Sequence, residues 1–361
     1  MSAIGTLFRV TLFGESHGPG VGAVVDGVPA GLRIDVDAMR RELARRRPGQ
    51  SKISSQRKEE DEAEFLSGLL GGVATGAPVT ILIRNTDVDS RPYDASRDLP
   101  RPGHADFTAW AKYGNARDHR GGGPFSARVT APLVAAGSIA RQMLGSVRIA
   151  AHAVEIAGIE ISHELTFEQI LKAESHPTRC GDPKAAELME HAITRARAEG
   201  DSVGGIVECR AEGLPAGWGA PGADGLESEL ARALFAIPAV KGVEFGAGFR
   251  AARLRGSVNN DAFEVDSAGK VTTRTNNAGG ILGGISTGMP LVMRVAFKPT
   301  ASIPKKQDTV NLATMKPATV EIKGRHDPCV VPRAVPIVEA AVACVLADQM
   351  LLAESTTGDR K

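Results

Sequence analysis

Hydrophobic and polar positions alternate along residues 7–13 around Phe8, Val10 and Leu12, the period-two signature of a half-buried strand that stops at Gly14. Residues 21–25 predict a second strand, closed by the turn-forming Asp26, Gly27, Val28 and Pro29. At Val36 the period lengthens. Met39 and Leu43 fall on one helical face, Asp35 or Asp37 is the candidate N-cap, and Pro48-Gly49 ends the element. Strand-like runs return at 79–83, 147–155, 204–210 and 291–297.

Helices are predicted over 126–144, whose small and apolar residues suit packing on several sides, and over the amphipathic stretches 183–198 and 225–236. A further helix covers 334–352. Its apolar run is interrupted by Glu339, Asp348 and Gln349, so it reads as a buried core helix rather than a membrane span. Strands and helices do not alternate as a doubly wound parallel sheet requires, and no GxGxxG follows a strand. The pattern predicts an α+β fold with mostly antiparallel sheets covering buried helices.

The 361 residues, 42% of them hydrophobic, suffice for one large domain or two smaller ones. A net charge of +1 argues against a surface that coats nucleic acid, and an aromatic content of 4% leaves few platforms for stacking bases. Cys180, Cys209, Cys329 and Cys344 show neither CxxC spacing nor disulfide-scaffold density, which points to a reducing, cytoplasmic location. Residues 1–9 lack the charged and apolar regions of a signal peptide. Disorder is expected only in the tail, 354–361.

Chemistry-bearing residues gather in four polar islands: Gly14-Glu15-Ser16-His17-Gly18, Arg101-Pro102-Gly103-His104-Ala105-Asp106, Arg117-Asp118-His119-Arg120 with Gly121-Gly122-Gly123, and Gly324-Arg325-His326-Asp327-Pro328-Cys329. Each sets His, Asp or Arg beside Gly or Pro, where a ligand can approach the backbone closely. A histidine in a turn is more often structural than catalytic, yet His17 and His104 are the default general acids. A zinc reading of His17, His104, His119 and His326 lacks any HExxH or paired Cys/His spacing. Asp327 is either the cap of the helix that follows or an acid/base group.

Three glycines ahead of a helix leave N–H groups free to meet an anion, and the terminal Gly-Lys-Ser/Thr of a P-loop is missing. Lys298-Pro299-Thr300-Ala301-Ser302 offers an ammonium and two hydroxyls in a Pro-fixed loop, a plausible phosphate anchor. The basic run Arg40, Arg41, Arg45, Arg46, Arg47, Lys52, Arg57, Lys58 fits a solvated helix end or a loop where guanidinium forks meet phosphate or carboxylate equally well.

In these residues the chain closely resembles the chorismate synthase family, from about Gly5 through Leu352. The islands come in the family's order, together with Arg45-Arg46-Arg47-Pro48-Gly49, Ala239-Val240-Lys241-Gly242-Val243-Glu244, Asn277-Ala278-Gly279-Gly280-Ile281-Leu282-Gly283-Gly284-Ile285-Ser286 and Lys298-Pro299-Thr300. The resemblance implies a β-α-β sandwich in one domain, 1–361, assembling as a homotetramer. It also implies a reaction: 5-enolpyruvylshikimate 3-phosphate loses phosphate and a ring hydrogen in a 1,4-anti elimination, giving chorismate with reduced FMN as cofactor.

By the same resemblance His17 protonates the departing phosphate, His104 protonates reduced flavin and Asp327 assists proton removal at flavin N5. Arg45, Arg46, Arg120, Arg128 and Arg325 hold anionic groups, with Ser16 beside the substrate. Flavin contacts fall to Pro124, Phe125, Ser126, Pro238, Ala239, Gly283, Lys298, Pro299, Thr300, Ala301, Ser302 and Arg325. In members that reduce their own flavin, Arg46 and Lys52 are associated with NADPH; otherwise a separate flavin reductase is the partner.

Two departures stand out. Pro124-Phe125 replaces the family's Arg-Ser, leaving backbone donors at Phe125 and Ser126, and Pro238 stands where many members have Asn. With His17, His104 and Asp327 intact, a working site is expected. Two other classes compete, a metal-dependent phosphohydrolase built on the His/Asp islands and an RNA-binding protein built on the Arg45 run.

Overall fold

The computed structural model describes residues 3–51, 53–55, 59–87, 89–322 and 326–356. Strands β1 (Ala3–Ile4), β2 (Val10–Gly14), β3 (Gly20–Val25), β4 (Ala63–Ser67) and β5 (Val79–Arg84) form an antiparallel sheet in the order β1-β2-β3-β5-β4. In β5 Val79, Ile81 and Ile83 are buried while the residues between them face outward, the alternation that pins register when one face is covered. A second antiparallel sheet joins β6 (Arg148–Ile156), β7 (Ile159–Glu160), β8 (Gly205–Glu212), β9 (Val240–Phe245) and β10 (Leu291–Phe297) in the order β9-β10-β8-β6-β7.

Helices fill the space between the sheets. α1 (Val36–Arg46) starts at Asp35, whose carboxylate accepts from the Ala38 N–H at 2.8 Å, and ends where Pro48 disfavours helix at the residue before it. α2 (Asp106–Tyr113) is short, and α3 (Thr130–Leu144) is buried over nearly its whole length. α4 (Pro183–Ala198) and α5 (Leu226–Phe235) follow. α6 (Val331–Thr356) lies against α3, β6 and β8, while α3 packs on β2, β3 and β5. The layers are therefore sheet, helices, sheet, as the α+β expectation required.

Two local devices make the centre possible. A Cβ on Gly137 would lie 2.5 Å from the Cβ of Ala340, so only glycine lets α3 and α6 approach this closely. Pro336 inside α6 cannot donate to the carbonyl of Pro332. The Arg179 guanidinium donates to that carbonyl instead, so the helix continues without an orphaned acceptor.

α6 is long and apolar enough to cross a membrane, but most of it is buried inside the protein. The acids that interrupt it are staples. Asp348 Oδ1 accepts from the N–H groups of Thr6, Leu7 and Phe8 at 3.0, 2.7 and 2.9 Å, fixing the N-terminal loop. Glu339 binds Arg45 at 2.7 Å, Arg141 at 2.8 Å and the Ala151 N–H at 2.8 Å, joining α1, α3 and the second sheet to α6. Sequence reading placed the start of α6 three residues late and its end too early. Glu354, Ser355 and Thr356 are helical rather than part of a disordered tail, whose remaining residues, 357–361, lie outside the described residues.

Burial opposes the Glu339 carboxylate, but Arg45 and Arg141 outweigh it and hold its pKa below the ordinary value. Its contribution to stability is therefore present above the usual carboxylate pKa and is lost as pH falls through the depressed one. Glu339→Ala is expected to cost roughly 3 kcal/mol, the low end for breaking a buried pair, because both arginines keep partial access to water. Urea denaturation at neutral pH checks this, and a loss within experimental error would show that the carboxylate is not a staple.

Candidate functional site

A cavity of about 890 Å3, near the upper end for small-molecule sites, opens where turns from both sheets meet the start of α6. Ser16 and His17 come from the turn after β2. This turn is closed by the Gly18 N–H to Glu15 carbonyl bond at 3.2 Å and held by Asn85, which donates to the carbonyls of Glu15 and Gly18. Ser16 Oγ lies 3.1 Å from His17 Nδ1, and the imidazole meets Tyr93 edge to face at 5.1 Å. Gly121 backs the ring so tightly that a Cβ there would lie 2.1 Å from its atoms.

His104 sits on the turn made by Arg101, Pro102 and Gly103, and its Nδ1 lies 2.7 Å from Asp106 Oδ1. Arg101 grips the same carboxylate with two bonds, at 2.7 and 2.8 Å, and donates to Ser302 Oγ at 3.1 Å. It also approaches Nδ1 at 3.2 Å, but a guanidinium only donates. The shorter contact to an acceptor carboxylate therefore decides the tautomer: Nδ1 carries the proton, and Nε2 points to the side of Gly122. Burial works against the Asp106 carboxylate, yet its bonds from Arg101 and His104 pull its pKa far below the usual carboxylate range.

The floor of the cavity is ionic. Arg46, 1% exposed, bonds Asp61 at 2.9 Å, Thr130 Oγ1 at 3.2 Å and the Ala127 carbonyl at 2.7 Å. Arg128 clasps the other oxygen of Asp61 and donates to Asn85 and to the Arg84 carbonyl. Burial draws the Arg46 guanidinium down to about 10 against the attraction of Asp61, with Arg333 and Arg128 adding repulsion, so it stays charged at neutral pH. Asp327 accepts from the Ser55 N–H at 2.7 Å and from Arg333 at 2.5 Å, and Arg333 also donates to the Arg46 carbonyl. The helix-cap reading of Asp327 is thereby corrected: α6 begins four residues later, and the carboxylate is spent on Ser55 and Arg333.

The opposite wall carries Pro238, Ala239 and the loop from Lys298 to Ser302. Ala239 holds a φ of 75°, a left-handed backbone rare outside glycine, and its carbonyl accepts from the Lys298 N–H at 3.0 Å. Lys298 is pushed down by burial and by the neighbouring charge of Lys241, two cations facing one space. His326 Nε2 and Thr300 Oγ1 are buried with no hydrogen-bond partner among the described residues.

The expected residues thus converge in large part. Ser16, His17, His104, Asp327, Arg46, Arg128, Pro124, Phe125, Ser126, Pro238, Ala239 and the Lys298, Pro299, Thr300, Ala301 and Ser302 loop all line this cavity. Three do not. Arg45 turns to Glu339, Glu42 and Glu174, Arg120 pairs with Asp118 near the surface, and Gly283 lies in the turn between Ile281–Leu282 and Ile285–Thr287. Arg325 and Lys52 fall outside the described residues.

The triple glycine also behaves differently from expectation. The N–H groups of Gly122 and Gly123 bond the Arg120 carbonyl, and those of Phe125 and Ser126 bond Gly122 and Gly123. These donors are consumed in 3-10 turns, so Phe125 and Ser126 offer side chains rather than a main-chain anion nest. Sequence reasoning assigns no role to Tyr93, Glu59, Asp61, Lys241 or Arg333. Arg333 had one signal, a lone cation in the apolar run that follows Asp327. His119 faces Asp94 at 2.9 Å, and among the described residues no group of three His, Cys, Asp or Glu side chains could hold a metal ion. Of the basic run, Arg40 pairs with Asp37, Arg41 with Asp35, Arg45 with Glu339 and Arg46 with Asp61, which weakens the RNA-binding reading, while Lys52, Arg57 and Lys58 lie outside the described residues.

The family model for chorismate synthase matches residues 8–351. A curated chorismate synthase of Methanosarcina mazei is 54% identical over 353 residues, covering 97% of this chain and 96% of that protein. Those of Archaeoglobus fulgidus and Dehalococcoides mccartyi strain BAV1 are 51% and 50% identical, each sharing 98% of this chain and 98% and 97% of their own. A crystal structure of chorismate synthase superposes with a TM-score of 0.75 at 31% identity, over 98% of this chain and 94% of the other.

Burial lowers His326 to about 4, with Arg101 and His104 adding repulsion against the opposing pull of Asp327. An unfolded histidine titrates near about 6.5, so between those values the unfolded chain binds the extra proton and stability rises with pH. Urea denaturation of the wild type and His326→Phe across this window checks the sign. The variant, lacking the group, should gain relative to wild type as pH falls from 6.5 towards 4, and a constant difference would place the titration of His326 in its ordinary range.

Proposed function

The chain belongs to the chorismate synthase family, and from that premise we propose how its cavity carries the reaction. The protein is a carbon–oxygen lyase at the last step of the shikimate pathway. It removes phosphate and a ring hydrogen from 5-enolpyruvylshikimate 3-phosphate in a 1,4-anti elimination, giving chorismate. One C–O and one C–H bond break, the double bonds shift, and no net oxidation occurs.

The observation that carries the residue assignment is the convergence of His17, His104 and Asp327 on one cavity walled by Arg46, Arg101, Arg128, Arg333, Lys241 and Lys298. A substrate with two carboxylates and a phosphate needs such cations. His17, braced by Ser16, Tyr93 and Gly121, would give its proton to the departing phosphate oxygen. Arg46 and Arg128, whose donors are bonded within the protein and whose charge is offset by Asp61 and Glu59, would act on the anionic groups through their field beneath the site rather than by direct hydrogen bonds. Asp327, fixed by Ser55 and Arg333, would assist proton removal at the flavin.

Reduced FMN fits the opposite wall. The like-charged Lys241 and Lys298 suit a phosphate, Thr300 offers a hydroxyl with no partner among the described residues, and the cavity is large for substrate alone. Pro124, Phe125, Ser126, Pro238, Ala239 and the Lys298 to Ser302 loop would hold it, and His104, with its Nδ1 proton held by Asp106, would take up and pass on a second proton at Nε2 beside it. Reduced flavin held there would supply electron density to the allylic system as phosphate leaves.

We take the reductant to come from outside. The burial of Arg46 and the bonding of its donors to Thr130, Asp61 and Ala127 support a separate flavin reductase as the partner over a direct NADPH contact at this residue. A cytoplasmic homotetramer of single-domain chains completes the proposal. Exposed Phe263, Val265 and Val271 sit together on a two-stranded ribbon, an apolar stretch of the kind a second copy covers.

With FMN reduced photochemically under anaerobic conditions, His17→Ala should lower chorismate formation by about 100-fold or more while the far-UV circular dichroism stays unchanged. A folded variant turning over at the wild-type rate removes His17 from the mechanism. Oxidised FMN with NADPH alone should give no chorismate in the same anaerobic assay, whereas turnover under those conditions would show that the chain reduces its own flavin.

A further inference from the structure

His326 has no place in the scheme above, yet it lines the cavity between the groups that do. Its Nε2 is shielded from solvent and bonded to nothing among the described residues, as is Thr300 Oγ1 in the same lining. A buried, unpaired polar atom destabilises the empty protein, and an apolar ring of the same shape would avoid that penalty. Two such atoms in one cavity indicate a ligand that supplies what both lack.

The nature of that ligand follows from the neighbours. Burial, with repulsion from Arg101 and His104 against the pull of the adjacent Asp327, keeps the His326 imidazole uncharged at neutral pH. An uncharged ring beside cations gives little to a phosphate or carboxylate that Arg46, Arg128, Lys241 and Lys298 serve better. It suits a neutral edge carrying carbonyl and N–H groups. Resting on the flavin reading, we propose that His326 Nε2 hydrogen-bonds the uncharged polar edge of the flavin ring and orients it between His104 and Asp327. His326 is then a cofactor-positioning residue distinct from the proton-moving groups.

The test compares wild type, His326→Phe and His326→Gln by titrating FMN in the presence of substrate, following flavin absorbance, with substrate affinity and thermal melting measured beside it. His326→Phe should melt no lower than wild type at neutral pH yet bind FMN about tenfold more weakly, the loss of a hydrogen bond of about 1.4 kcal/mol, with substrate affinity unchanged. His326→Gln, which keeps a donor and an acceptor, should recover most of the affinity. Wild-type FMN affinity in His326→Phe, or a loss confined to substrate binding, overturns the proposal while the flavin reading stands. A wild-type protein that takes up no FMN overturns the flavin reading and this inference together. Should His326→Phe melt lower, His326→Gln decides: a folded Gln variant that binds FMN as weakly as Phe overturns the hydrogen-bonding role.

Discussion

The site depends on a carboxylate that never touches it. Glu339, buried in the middle of α6, draws Arg45 to itself, and Arg45 and Arg46 are consecutive on α1. Successive residues on a helix project about 100° apart, so anchoring the first fixes where the second points. With Arg45 held against α6, Arg46 is turned to Asp61 and the cavity floor, and its carbonyl receives Arg333 from the start of α6. One desolvated ion pair therefore sets the rotation of α1, the docking of α6 and the aim of the cation at the cavity. Its energetic yield is modest, because each charge was removed from water to make it, and its larger effect is orientation.

The same dependence explains what the sequence makes legible. Periodicity located β5, β10, α4 and the long buried helix within a few residues, because burial repeats on a local period. The islands at His17, His104 and Asp327 stood out because Gly and Pro mark turns locally. The choice between Arg45 and Arg46 as ligand-facing groups had no local signal. It is decided by Glu339 and Asp61, one of them 294 residues away, and both arginines sit in the same basic run. The fate of the triple glycine was equally hidden, since whether its N–H groups meet an anion or neighbouring carbonyls depends on how far the chain tightens before α3 begins.

Several of the places where the chain breaks ordinary rules lie at or beside the cavity. Ala239 and Asp61 hold positive φ values of 75° and 54°, and His326 and Thr300 keep out of water atoms that find no partner among the described residues. Each feature costs stability, and each is tolerated because the layers behind it are tightly packed: Gly137 on Ala340, alternating aliphatics in both sheets, and Asp348 closing the N-terminal loop. Rigid layers and irregular turns are thus parts of one arrangement, in which the sheets and central helices hold turns from distant parts of the chain in register.

The most direct measurement is a crystal structure of the chain with FMN and 5-enolpyruvylshikimate 3-phosphate. The account predicts the substrate phosphate against His17 with Arg46 and Arg128 beneath the substrate, and the flavin between His104 and the Lys298 to Ser302 loop. Ligands seated elsewhere, or a substrate phosphate remote from His17, would contradict it.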